Sequence, residues 1–343
     1  MKIAGFDIGG ANTDLAVIDF SENGKIENIS VNFEYLPMWS DNHRLGNVLL
    51  NLIKENNDLD DIDGVGISMT GELVDAYTKK EEGVLDISKK VIATFNIPVG
   101  FVGLDKFLTY NEVLINPSKI AAANWIATSA IISEIDENCI FIDTGSTTTD
   151  IIPIKNGKEC SKGRSDFERL STGELVYTGI LRTNLSSFLR KVELNGKEYT
   201  VASELFATTA DIYNVLGKIY KEDYSCSTSD GAGKSKMESM IRISRVLCGD
   251  MDILSKEDIL AISKFTHEKQ TEQIAEGLKK VSKRENIDKV VTTGLGGEIL
   301  GKEATKLLNL HHISMSDFYT KEESVVAPAI GTAVLMYKHL TNY

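Results

Sequence analysis

The chain has 343 residues, 42% of them hydrophobic and 25% charged, which excludes a disordered or fibrous protein and suits two domains, because single cores stop growing near about 250–300 residues. A formal charge of -13 and a pI near 5.0 exclude a nucleic-acid partner held on a broad basic face. The four cysteines have no Cys-x-x-Cys spacing, no signal-peptide pattern opens the chain, and the apolar run 325–337 is too short for a bilayer and carries Pro328. Reduced thiols, no membrane span and a cytoplasmic location are therefore expected.

Three alternating runs over residues 2–32, with Ser-Glu-Asn-Gly at 21–24 between the second and third, predict a three-stranded antiparallel meander. Leu45, Val48, Leu49 and Ile53 then recur at helical spacing. A buried strand at 64–69 runs into the loop holding Glu72 and Asp75, followed by a helix over 79–95 with its charges outward and a strand at 99–103. The Ala-rich stretch 118–134 predicts a helix packed closely on a neighbour. At 139 the opening pattern returns: strand, Asp-x-Gly turn, strand, then a turn at Asn156-Gly157. Beyond it, 201–217, 235–250 and 255–282 carry helical apolar stripes. Residues 288–300 read as strand, glycine loop and helix start, and 323–341 as a closing helix containing Gly331. The predicted domains are 1–134 and 135–343, the second with a helical insertion over about 200–285.

The repeat is specific. "FDIGGANTD" and "IDTGSTTTD" align so that Asp7 matches Asp143, Gly9 matches Gly145, Thr13 matches Thr149 and Asp14 matches Asp150, at one offset of 143 minus 7, or 136 residues. An internal duplication of a hairpin follows. Each tip combines glycines that let backbone N–H groups approach an anion with side-chain donors. The candidate phosphate ligands are Gly9, Gly10, Asn12 and Thr13 in the first copy, and Gly145, Ser146, Thr147 and Thr148 in the second. Asp7 and Asp143 end their strands at matching positions and are candidate holders of Mg²⁺, directly or through its waters. For one hairpin alone, an ordinary Asp- and Thr-capped turn would explain the residues.

Other stretches carry functional and structural readings side by side. Gly294, Gly296 and Gly297, between an apolar strand and a helix, could admit a flat ring or an anionic tail, but Ile299 stands where a dinucleotide fingerprint needs glycine. Glu72 reads either as a general base or second metal contact, or as a helix-start residue. Arg164, Arg169 and Arg182 read either as phosphate clamps or as surface ion pairs. The Gly-Lys-Ser at 233–235 lacks the first P-loop glycine, Thr228 standing in its place, and reads as a surface loop.

Together, the two hairpins and the glycine loop resemble the actin-like ATPase superfamily, and "DIGGANTD" with "DTGSTTTD" resembles its hydantoinase A/oxoprolinase branch. "MTGELVDAY", "AAANWIATSA", "GELVYTGILRT", "TADIYNVLG" and "SRVLCGD" look closer still to its archaeal and methylotroph subgroup of tetrahydromethanopterin-linked one-carbon metabolism and methanofuran synthesis. The resemblance covers nearly the whole chain. It implies an α/β fold of two ribonuclease H-like domains with a ligand cleft between them. It also implies a transferase that joins an aminomethylfuran-methanol diphosphate to the phenol of γ-glutamyltyramine, releasing diphosphate. On that reading the partners are small molecules, Asp7, Asp143 and Glu72 are catalytic, Mg²⁺ is the cofactor, and Gly294, Gly296, Gly297, Arg164 and Arg182 contact the substrate or a nucleotide. The alternatives are an ATP-dependent small-molecule kinase or hydantoinase-like hydrolase, for which ATP becomes the cofactor, and a non-catalytic nucleotide sensor.

Overall fold

The alternating runs at the start form β1 (Lys2–Ile8), β2 (Asn12–Phe20) and β3 (Ile26–Tyr35) in the computed structural model, which describes residues 1–121 and 123–341. Ala122, in the predicted Ala-rich helix, and Asn342 and Tyr343, in the second predicted domain, lie outside the described residues. β1 also pairs in parallel with β4 (Gly64–Met69), which pairs with β5 (Val99–Val102), and β6 (Phe107–Leu108) closes the six-stranded order β3-β2-β1-β4-β5-β6. Strand alternation divides the two faces of this sheet. Ala4, Phe6 and Ile8 join Leu15, Val17, Val65 and Ile67 in one core, covered by α2 (Leu45–Lys54) and α3 (Lys80–Thr94), which follow the short α1 (Met38–Asp41). Gly5 and Asp7 therefore face the other side. After α4 (Tyr110–Ile115), that side receives α5 (Asn124–Ile135).

The second hairpin is β7 (Cys139–Thr144) and β8 (Thr149–Lys155), turned at Asn156 and Gly157, which have φ of 51° and 70°, towards β9 (Lys158–Glu159). With β10 (Leu175–Val176), β13 (Lys289–Thr293) and β14 (His311–Ser314) it builds the order β10-β8-β7-β13-β14. Around this sheet lie α6 (Asp166–Thr172), α7 (Thr209–Leu216), α8 (Lys236–Arg245), the 30-residue α9 (Lys256–Glu285) and α10 (Lys302–Leu307). A hairpin of β11 (Lys191–Leu194) and β12 (Lys197–Thr200) lies where sequence periodicity assigned no element. Its Asn195-Gly196 turn has φ of 52° and 73°, the two positive values that a tight hairpin turn requires. The Gly-Lys-Ser stretch is a surface loop: Ser235 caps α8 and Glu238 returns the bond in a capping box. None of the four cysteines is in a disulfide, and among the described residues no helix is long and apolar enough to cross a membrane.

The chain divides into two compact units, one of residues 1–138, 154–160 and 316–343, the other of 139–153 and 161–315. This differs from a single cut near residue 135, because α11 (Lys321–Val325) and α12 (Ala327–Thr341) belong to the first unit. The reason is close packing on the face of β1 and β4 opposite the main core. A Cβ added to Gly5 would fall 2.2 Å from the Ala329 carbonyl oxygen, and one on Gly66 2.8 Å from that of Thr332. Gly331 lets α12 press on α5, where an added Cβ would lie 1.9 Å from the Ala127 carbonyl oxygen. Gly331→Ala is expected to cost about 1–3 kcal/mol of stability, the usual penalty of overpacking, read as a lower urea midpoint at unchanged slope.

Candidate phosphate-binding site

Both hairpin tips close in the same way. Gly9 N–H donates to the Asn12 carbonyl at 2.9 Å, and Gly145 N–H donates to the Thr148 carbonyl at 2.9 Å. The tip carbonyls are then tied back by a neighbouring segment. In the first unit, Met38 N–H donates to Gly10 O and Leu36 N–H to Ala11 O, each at 2.9 Å. In the second, Ile180 N–H donates to Gly145 O at 3.0 Å, and Leu181 and Arg182 N–H donate to Ser146 O at 3.0 and 2.9 Å. A trans peptide points its N–H opposite to its C=O. Anchoring these carbonyls inward therefore turns the N–H groups of Ala11, Ser146 and Thr147 outward, the arrangement that cradles an anion. Asn12 and Ser146 are exposed beside them, with Thr147 and Thr148 half-buried.

The segment behind the second tip is held by a buried polar network that sequence reasoning missed. Gln270, on α9, donates from Nε2 to Thr178 Oγ1 and Gly179 O, each at 2.9 Å, and its Oε1 accepts from Tyr213 at 2.7 Å. Thr209 also donates to Gly179 O at 2.9 Å. Gly179 lies so close to the tip that an added Cβ would fall 2.4 Å from Thr147 N. Arg182, exposed and tied by its N–H to Ser146, stands beside this tip, whereas Arg164 is exposed at the start of α6 with its N–H held by Glu168.

Several expectations change. Thr13 is fully buried on β2, and its hydroxyl has no hydrogen-bond partner among the described residues, so it is not a tip donor. Glu72 is 1% exposed, in a turn overlaid by Gly83 of α3, so a dissolved substrate does not reach the carboxylate assigned as general base. Gly296 and Gly297 are buried, and Gly296 N–H donates to Thr144 O at 2.8 Å. Gly294, at φ 80°, lies against Asp143, where a Cβ would come 2.2 Å from Oδ1. These glycines fit the second hairpin against β13 rather than offering an open seat for a flat ring. Arg169 is buried and structural, paired with Asp150 and donating to Glu174 O at 3.2 Å.

The aspartates differ between the copies. Ser68 donates to Asp7 Oδ1 at 2.7 Å. Burial raises the Asp7 pKa to about 6 against the opposing hydrogen bonds of Ser68 and Asn124. Asp14 sits directly opposite Asp7 in the β1–β2 register. Burial first, and then the Asp7 charge, raise its pKa to about 8. Asp150, the counterpart of Asp14, is raised by burial but opposed by Arg169. No cluster of three metal-ligating side chains exists among the described residues. Single carboxylates such as Asp7 and Asp143 do suit Mg²⁺, which keeps several waters and draws other oxygens from a bound phosphate.

A family model described as Hydantoinase/oxoprolinase matches residues 63–339. The chain is 42% identical over 342 residues, 99% of each chain, to the (4-{4-[2-(gamma-L-glutamylamino)ethyl]phenoxymethyl}furan-2-yl)methanamine synthase of Methanocaldococcus jannaschii. It is 43% identical over 209 residues to the protein of that name from Methanococcus vannielii, covering 60% of this chain and 94% of the other. Among solved structures, nucleotide-free acetone carboxylase aligns with a TM-score of 0.62 at 12% identity, over 97% of this chain and 70% of that one. A ROK family glucokinase from Streptomyces griseus, in complex with glucose and AMPPNP, aligns with a TM-score of 0.51 at 14% identity, over 98% and 99%. At such identities the likeness establishes the fold, that of the actin-like ATPases, and no ligand.

Two outcomes are expected at these loops. Gly179→Ala should lower kcat/KM by about tenfold or more through displacement of the second tip, at a cost in stability of about 1–3 kcal/mol. For Asp14 the folded pKa lies above its unfolded value of 3.8, so its contribution to stability declines as pH rises from 4 towards 8. Asp14→Asn removes that decline. Without added metal, the variant should match the parent in stability near pH 4 and exceed it near pH 8 by about 1–3 kcal/mol, a figure held down because Asp14 is partly open to water, and read as a Tm gap that opens with pH. Parallel Tm–pH curves would refute this.

Proposed function

The chain belongs to the hydantoinase/oxoprolinase family, and from that membership we propose that it is a transferase joining an aminomethylfuran-methanol diphosphate to the phenol of γ-glutamyltyramine, with release of diphosphate. The observation that carries this reading is 42% identity over 99% of both chains to a synthase whose name describes the phenoxymethylfuran product. The alignment extends over the segments that tie the hairpins back as well as over the hairpins themselves.

The chemistry suits what the residues offer. The bond between the furan methylene and the diphosphate oxygen breaks with its electron pair leaving on oxygen, while the furan ring stabilises the positive charge on carbon. The phenol oxygen then bonds to that carbon. Negative charge develops on the departing diphosphate, so groups that bind it more tightly as it leaves accelerate the step. The donors suited to that purpose are, in the first unit, the outward N–H of Ala11 with Asn12 and, in the second, the outward N–H groups of Ser146 and Thr147 with the Ser146 hydroxyl. In the first unit Asp7, and in the second Asp143, would hold Mg²⁺, which when bound supplies further charge to the leaving diphosphate. Attack on a cationic carbon demands little basicity of the phenol. Its proton can pass to water after the ether forms, which accords with a buried Glu72.

The test is an incubation of the protein with Mg²⁺, the furan diphosphate and γ-glutamyltyramine in the absence of ATP. The ether, found by mass spectrometry, and one equivalent of diphosphate are expected. ATP hydrolysis with some other acceptor and no ether would instead place the chain among kinases or hydrolases, and ligand binding without turnover would make it a sensor. Asp143→Asn should lower kcat by about a hundredfold or more with the Tm nearly unchanged, because the carboxylate is half-buried at a strand end.

A further inference from the structure

The two copies of the hairpin differ in what surrounds the second aspartate of each, and one copy is informative about the other. Asp14 and Asp150 occupy equivalent positions on β2 and β8, and each faces a residue of the next strand: Phe33 on β3 and Leu175 on β10. In the second unit the chain fills this place itself. Leu175 is 5% exposed, and the guanidinium of Arg169, 2% exposed, pairs with Asp150. An apolar body and a cation complete the carboxylate.

In the first unit neither is supplied. Among the described residues Asp14 has no hydrogen-bond or ion-pair partner, and the charged group that faces it is another carboxylate, Asp7. Phe33 opposite is 67% exposed, and Tyr35, two residues on and opposite Asn12, is 59% exposed. Cross-strand partners share a face, so Asp14, Phe33, Asn12 and Tyr35 form one patch, with aromatic rings along the edge strand and the phosphate-loop residue at its end. Exposed aromatic rings on an edge strand are a liability unless something covers them.

We propose that this patch is the subsite for the aminomethyl end of the furan substrate, with Phe33 and Tyr35 as the platform for the ring and Asp14 as the partner of its primary ammonium. The proposal rests on the reading of the substrate as an aminomethylfuran diphosphate. The ligand supplies to Asp14 what Arg169 supplies to Asp150, a cation carried on an apolar body. The dimensions agree. Asp14 lies two residue steps beyond Asn12 along β2, about 6.6 Å at about 3.3 Å per residue, which is the span of a furan ring from its diphosphate-bearing methylene to its ammonium. An ammonium placed there also lies over aromatic faces, a favourable position for a cation. The subsite then selects substrates by charge, admitting the amine and disfavouring a neutral methyl or hydroxymethyl furan that would leave the half-buried Asp14 beside Asp7 with no cation.

The experiment compares two compounds, the aminomethylfuran diphosphate and its analogue with methyl in place of aminomethyl. Both are examined by calorimetric binding to the full chain and by ether formation with γ-glutamyltyramine. The parent protein should prefer the amine by about tenfold or more, the usual range for a charge-assisted hydrogen bond. Asp14→Asn should abolish the preference by weakening the amine alone, and Phe33→Ala, at an exposed position, should weaken both compounds by a similar factor. Equal binding of the two compounds by the parent, or equal loss for both in Asp14→Asn, would overturn the subsite. Discrimination in binding without any ether would uphold the subsite while removing the transferase reading, and ether formation without discrimination would do the reverse.

Discussion

Peptide orientation at the hairpin tips is the constraint on which the rest of the site depends. A loop of small residues has no intrinsic reason to present its N–H groups on one side; backbone donors buried or idle cost free energy, and a flexible tip would turn them to its own carbonyls. Here the carbonyls of Gly10 and Ala11 are committed to Met38 and Leu36, and those of Gly145 and Ser146 to residues 180–182. The donors left over face outward without further arrangement. Preorganisation of this kind matters because donors that are already oriented need no reorganisation as charge develops.

The segments that impose the orientation are themselves held from outside the hairpins. In the second unit, Tyr213 fixes the amide of Gln270, Gln270 fixes Thr178 and Gly179, and the following three N–H groups fix the tip. Tyr213, Gln270, Thr178 and Gly179 are buried, so their hydrogen bonds act at low dielectric and a missing member would leave an unsatisfied partner. The first unit uses a shorter device, the turn from β3 into α1, which carries Leu36 and Met38 back under the loop. Equivalent loops thus reach the same geometry through unrelated supports, as expected of a duplication whose functional surface was kept while its surroundings diverged.

Much of this was legible in the sequence, and the parts that were not have identifiable reasons. Alternation and the 136-residue offset (143 minus 7) located both hairpins and their aspartates. Type of element was recoverable where the period is clean, as in α2, whose Leu45, Val48, Leu49 and Ile53 fall on one buried face. The β11–β12 hairpin was missed although Asn195-Gly196 signals it, because Lys191–Thr200 carries few apolar residues and has an all-exposed second strand. Membership of α12 in the first unit was invisible, since it depends on glycines at 5, 66 and 331 that meet only in three dimensions. Roles assigned by residue type failed where burial decides: Thr13 and Glu72 have the chemistry of ligands but no access. Gln270 and Tyr213 carry no motif at all, and their function is set by what they touch.

The same reasoning explains why a scaffold of this fold can serve a displacement in which no phosphoryl group moves. Backbone donors aimed at phosphate oxygens do not distinguish cleavage of a P–O bond from cleavage of the C–O bond beyond it; in both, negative charge grows on the oxygens that the loops hold. What differs is where the electrophile lies. A substrate whose reactive carbon sits one bond beyond the bound diphosphate must have its remaining body fixed by groups next to the loop, because the loop itself constrains only the anion. On the first unit Asn12, Asp14, Phe33 and Tyr35 share the face that adjoins the tip, and under the subsite proposed above they are the groups that would fix that body. Alignment of that carbon towards an incoming phenol is worth several powers of ten in rate even with no basic group beside it, so the absence of an accessible carboxylate at Glu72 is no obstacle to the reaction.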